Sequence, residues 1–200
     1  MTNDFIKFTA ILICFVIAAT GRDWLSKRDY VLLTAAMAAT VIADFFLVVI
    51  YDYVIGVAFF CAVQVLYIMR FGGISRLRIL PLTLVFPFAF ITFHGDALVA
   101  IALLYAQLFL FSYVSMLQTI RKKTLPTTSN ILIFIGMTAF VLCDICVAIW
   151  NLGRWDVITN TDVISFAHAS IWLFYTPAQI CLALSGRKFA SPTLRTNNSI

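Results

Sequence analysis

Charge is what this 200-residue sequence has least of: 12% of its residues are Asp, Glu, Lys or Arg, while 62% are hydrophobic. A soluble domain of this length cannot hide that much apolar surface, so a water-soluble fold is excluded. Histidine occurs twice, at His94 and His168, too few for a three-histidine metal centre. The last apolar segment has no lysine before Lys188, which excludes a retinal Schiff base. Cys14, Cys61, Cys143, Cys146 and Cys181 all fall inside apolar runs, so none is placed for an extracellular disulfide. They are expected to be small packing residues. Cys143 and Cys146 form a CxxC around Asp144 but lack the further ligands zinc needs, and no metal is expected. A positively charged leader is missing too. Asp4 offsets Lys7 ahead of ILICFVIAAT, and this segment is expected to stay as a helix.

What is present is a row of apolar runs, at 4–20, 30–51, 54–70, 77–93, 96–119, 130–150 and 162–185. A membrane-spanning helix needs about 20 such residues. The expectation is an all-α polytopic membrane bundle of about seven transmembrane helices, with the fourth kinked by Pro81 and Pro87. Residues 1–186 would form one transmembrane domain and 187–200 a polar cytoplasmic tail. Basic residues fill alternate loops: Arg22, Lys27 and Arg28; Arg70, Arg76 and Arg78; Arg121, Lys122 and Lys123; Arg187, Lys188 and Arg195. The positive-inside rule then puts the N-terminus outside and the C-terminus in the cytoplasm, in the plasma membrane. The net charge of +5 resides in these short loops and gives no sign of a nucleic-acid partner. The bilayer itself is the expected partner.

Two aspartates interrupt this pattern. Asp44 sits in VIADFFLVVI and Asp144 in VLCDICVAIW, each six residues from the outer end of its run, roughly 9 Å deep at about 1.5 Å per residue. Ionisable groups at membrane depth are functional candidates. Residues 38–50 and 138–150 also align at an offset of 100, which hints at parallel repeats of helices 1–3 and 5–7 around helix 4. Counting from the outer end places His168 at about the depth of the aspartates. Ser165, His168, Trp172, Tyr175 and Gln179 are spaced 3, 4, 3 and 4 apart, so helical periodicity puts them on one face. Phe60, Gln64 and Tyr67 do the same on the third helix, and Gln107 is a further polar candidate on the fifth. Together they are expected to line a central cavity.

Several stretches carry a family resemblance. VIADFFLVV followed by GVAFFCAVQVLYIMRF, then GMTAFVLCDICVAIW, then FYTPAQICLALS resemble, in order and spacing, the motifs of the YhhN-like (lysoplasmalogenase) family. The sequence departs from them at three places. Gln64 stands where the family motif has histidine. Ala43 and Cys143 replace the small residues that usually precede the aspartates. The family is typically eight-helical, one more than the runs counted here. Gln64 cannot titrate, so no proton step can use that position.

The resemblance implies hydrolysis of the vinyl-ether bond of lysoplasmalogens to a fatty aldehyde and a glycerophospho-alcohol, with a lipid substrate and no metal or organic cofactor. That chemistry needs an acid to protonate carbon and a group to stabilise the resulting oxocarbenium ion and activate water. Two close carboxyls in a low-dielectric site favour one neutral and one ionised member. Asp44 and Asp144 are expected to share these roles, and the sequence does not divide them. Gln64, Tyr67, His168, Trp172, Tyr175 and Gln179 are expected to contact substrate. Two alternatives stand beside this one. A small seven-helix solute transporter would use matched aspartates in two repeats, although the Pro-Gln dipeptide of PQ-loop carriers is missing. A non-catalytic lipid-binding member of the same family is the other.

Overall fold

The structure, a computed structural model, describes residues 2–21, 24–72, 85–92 and 96–188. Seven α-helices occur among them: α1 Thr2–Thr20, α2 Lys27–Asp44, α3 Tyr53–Gly72, α4 Val85–Thr92, α5 Ala97–Arg121, α6 Thr127–Arg154 and α7 Thr161–Leu184. A π-helical segment, Phe45–Ile50, continues α2. No β-strand occurs among the described residues. The expected kink at Pro81 and the tail from residue 189 lie outside them, as do Arg22, Arg76, Arg78, His94 and Arg195.

Local chemistry sets the helix ends. Ser26 caps α2 by accepting from the Asp29 amide at 3.1 Å. Asp96 caps α5 with one carboxylate oxygen on the amides of Leu98 (2.9 Å) and Val99 (3.1 Å). Asn160 caps α7 in the same way. Each cap satisfies amides that have no partner inside the helix. Between α2 and α3 the chain reverses at Tyr51, in the left-handed region at φ 62°, and the Asp52 side chain accepts from the Ile55 amide.

Lys27–Ile50, Tyr53–Gly72, Ala97–Arg121 and Thr127–Arg154 are each long and apolar enough to cross a bilayer. At 24 residues, α7 is also long enough, roughly 36 Å, but its Ser, His, Tyr and Gln side chains make it more polar. The outward face of α6 is apolar at helical spacing, with Ile131, Phe134, Ile135, Leu142 and Ile145 exposed. Such a face suits lipid. The chain is a helical membrane bundle.

Packing runs in a closed order: α1 on α2, α2 on α3, α3 on α5, α5 on α6, α6 on α7, and α7 back on α1, with α4 against α5. Six helices therefore form a ring in which α2 stands opposite α6 and α3 opposite α7. This is the arrangement that two parallel three-helix repeats would give. Glycines allow the tightest approaches. A Cβ on Gly56 would lie 2.5 Å from Leu47, and one on Gly136 would lie 2.8 Å from Leu182 and 3.1 Å from the Ala178 carbonyl. Small residues of this kind let membrane helices pack closely.

Candidate functional site

Both aspartates point into the ring, and each receives a hydrogen bond from a tyrosine on another helix. The Tyr175 hydroxyl of α7 donates to Asp44 Oδ2 at 2.7 Å. The Tyr105 hydroxyl of α5 donates to Asp144 Oδ2 at 2.6 Å. Asp44 is 3% exposed, whereas Asp144 is half-buried. The two pairs converge. The two tyrosine rings share one neighbour, Phe60 of α3.

Aromatic rings pack around the two tyrosines. Phe60 of α3 contacts Tyr105 (centroids 5.9 Å apart) and Tyr175 (6.4 Å). Phe140 of α6 packs edge-on against Phe60 and Tyr175 and closely against Phe109. Two carboxyls are thus held in an apolar aromatic enclosure with one hydroxyl donor each. Such an enclosure strengthens the electrostatic contacts inside it. The backbone departs from α-helix directly after Asp44, at Phe45–Ile50. Single π turns inside helices recur at functional sites.

The remaining candidates divide by depth. Gln64 and Gln179 are fully buried, as is Tyr67, whose ring stacks on Phe71. Ser112 donates to Gln64 Oε1 at 2.6 Å. Trp172 is half-buried, meets Tyr175 edge-on at 5.2 Å, and carries the Lys7 ammonium 5.2 Å above its ring. Counting placed His168 level with the aspartates, but Tyr175 occupies that level. His168 lies seven residues outward, roughly 10 Å, where it is exposed and stacks on Trp150 at 4.2 Å. The error has a simple cause. The α6–α7 hairpin extends to Arg154 and Thr161, beyond the level of the α2–α3 turn, so Asp144 is ten residues from the end of α6 rather than six.

Tyr105 was not among the expected site residues. The fifth helix drew notice for Gln107, two residues away and so on a different face, whose Oε1 is buried without a partner among the described residues. A tyrosine within an apolar run looks like packing until its partner helix is known. A second polar cluster closes the opposite end of the bundle. Arg70 of α3 forms a two-pronged pair with Asp29 of α2, at 2.8 and 3.2 Å, and donates to Ser185 at 3.0 Å. A cavity of about 320 Å³, lined by Arg28, Asp29, Arg70 and Thr119 among others, opens beside this pair. No group of three or more His, Cys, Asp or Glu side chains suited to a metal occurs among the described residues.

A family model described as the YhhN family covers residues 2–186. No curated protein and no solved structure matches significantly.

Proposed function

The chain belongs to the YhhN family, and on that premise we propose that it is a membrane-embedded hydrolase that cleaves the vinyl-ether bond of lysoplasmalogen-type lipids. One observation supports this above the others: Asp44 and Asp144, on opposite helices of the ring, each held by one tyrosine hydroxyl inside an aromatic enclosure. Vinyl-ether hydrolysis begins with transfer of a proton to the β-carbon. A neutral carboxyl supplies it, and the adjoining C–O unit becomes an oxocarbenium ion. The second carboxyl, ionised, stabilises that cation and takes a proton from the attacking water. The hemiacetal then breaks its C–O bond to the glycerol oxygen, releasing alcohol and aldehyde. One water is consumed and the proton returns to the pair.

Depth agrees with this substrate. Asp44 lies six residues from the α2–α3 turn, and because those residues are π-helical the distance is less than the roughly 9 Å of an α-helical rise. A lysolipid with its vinyl ether there would leave its phosphate a few bonds away at the membrane surface, near Lys7 and Trp172, and lay its alkyl chain among the bundle's aromatic rings. Trp172 and Tyr175 would face the lipid, Gln64, Tyr67 and Gln179 would line the enclosure just inward of it, and His168 would meet the headgroup. We place this end of the bundle outside a plasma membrane, with the basic end and the tail in the cytoplasm.

The ring arrangement also favours a second reading, a solute transporter whose matched repeats present one aspartate each. One assay separates the two. Purified protein in detergent is given lysoplasmenyl-ethanolamine and fatty aldehyde is measured. The wild type should release it, while Asp44→Asn and Asp144→Asn should each be folded and inactive. Full activity in both variants would remove the carboxyl pair from the mechanism. A folded wild type that releases no aldehyde would favour transport.

A further inference from the structure

α3 and α7 face each other across the ring in constant register. Phe60 meets Tyr175, and ten residues further inward Arg70 meets Ser185. Both contacts join residues 115 apart in sequence. Gln64 and Gln179 share that offset, so they stand at one level, roughly 6 Å inward of the aromatic contact. Tyr67 lies about one turn further in. All three side chains are 0% exposed.

Their polar atoms lack protein partners. Gln179 has no hydrogen bond at either Nε2 or Oε1, and the Tyr67 hydroxyl has none among the described residues. Gln64 lies beside the Tyr105 hydroxyl, but its Nε2 makes no hydrogen bond of acceptable geometry. A buried polar atom left unpaired costs about 1–3 kcal/mol. Four such atoms at neighbouring levels therefore point to a ligand that pairs them. An alkyl chain cannot, and a metal ion would need charged or stronger donors. Water can, since a buried water is held by two to four polar partners.

We propose that Gln64, Tyr67 and Gln179 form a buried hydration site just inward of the two carboxyls, and that it stores the water consumed in hydrolysis. The site sits between the carboxyl–tyrosine pairs and the Arg70–Asp29 closure. From there water can reach the oxocarbenium carbon from the side away from the membrane surface, while the headgroup blocks the other side. Its oxygen bonds to that carbon, and one of its protons passes to the ionised carboxyl. Gln179 is in this account a positioning residue, acting through the water it holds. The use of the water rests on the hydrolase reading; its presence does not.

Hydroxyl-radical labelling by brief X-ray irradiation, read residue by residue by mass spectrometry, tests the site on unmodified protein in detergent. Radicals form from water in place, so Tyr67 should be labelled despite its burial, while Phe140, equally buried and surrounded by rings, should not. Tyr67 labelled no more than Phe140 would overturn the proposal. Gln179→Met, close in shape but unable to hold water, should reduce Tyr67 labelling and lower kcat with KM unchanged, and Gln179→Glu should restore the labelling. Unchanged kcat in folded Gln179→Met would overturn the storage role. Strong Tyr67 labelling in a wild type that releases no aldehyde would instead sink the hydrolase reading and leave the hydration site standing.

Discussion

Removing a single hydroxyl should reveal which aspartate is the acid. Tyr175 donates to Asp44 at 2.7 Å and Tyr105 to Asp144 at 2.6 Å, so the two bonds are nearly alike in length and any kinetic difference must come from charge. A hydrogen bond to a neutral partner is worth about 0.5–1.5 kcal/mol, and one to a charged partner about 1.5–3. The acid starts neutral and becomes a carboxylate as it gives up its proton, so its tyrosine bond strengthens on the way to the transition state by about 1–1.5 kcal/mol. The base stays ionised through the proton transfer to carbon and gains its proton only when water attacks afterwards, so its tyrosine bond changes little in that first step. Interactions that strengthen in the transition state set kcat. Tyr→Phe beside the acid should therefore lower kcat by about 5- to 12-fold, and Tyr→Phe beside the base should leave it close to wild type. Initial rates of aldehyde release by Tyr105→Phe and Tyr175→Phe, at saturating substrate, give the comparison. Thermal midpoints in the same detergent control for the shared cost of a lost buried hydroxyl. Equal losses, or none in either variant, would refute the division of roles.

Three further outcomes are expected. Arg70→Met or Asp29→Leu alone should cost about 3–5 kcal/mol by stranding a buried charge, and the double variant should recover most of it; additive losses in thermal unfolding would contradict the pairing. Gln64→His, which introduces the family's residue, should keep or raise aldehyde release; complete loss would mean that the bond from Ser112 to Gln64 is itself required. A reporter fused to the C-terminus should read as cytoplasmic in whole cells, and an external signal would invert the topology.

Much of the fold was legible because lipid imposes a simple rule on each residue separately. Runs expected at 30–51, 54–70, 96–119, 130–150 and 162–185 became helical stretches within four residues at each end, since apolarity and length carry the signal and caps such as Asp96 and Asn160 end it. The aspartates stood out for the same reason: a carboxyl in an apolar run is costly wherever its helix packs. Pairing was not legible. Tyr175 stood out on the polar face of its helix but its pairing with Asp44 did not, and Tyr105 is an ordinary aromatic residue until α5 brings it within 2.6 Å of Asp144. Asp29 follows the basic pair Lys27 and Arg28 and drew no notice, yet it is buried against Arg70 from another helix. Depth on α7 misled because loops were assumed to end at one level, and the α6–α7 hairpin does not. A likeness between 38–50 and 138–150 was visible. Its counterpart on the following helices, AFFCAVQ at 58–64 against LFYTPAQ at 173–179, becomes evident once Phe60 and Tyr175 are seen to face each other.

That second correspondence has a chemical edge. A ring built from two like halves tends to make its two carboxyls twins, and twins are poorly suited to opposite jobs. Tyr175 and Phe60 hold matching places in the two halves and differ by one oxygen. Asp44 receives its hydrogen bond from that oxygen. The matching donor for Asp144 would be Phe60, which has nothing to give, and Asp144 turns instead to Tyr105, from a helix in the other position of the repeat. The scaffold supplies two equivalent seats, and a single hydroxyl decides that their occupants are not interchangeable.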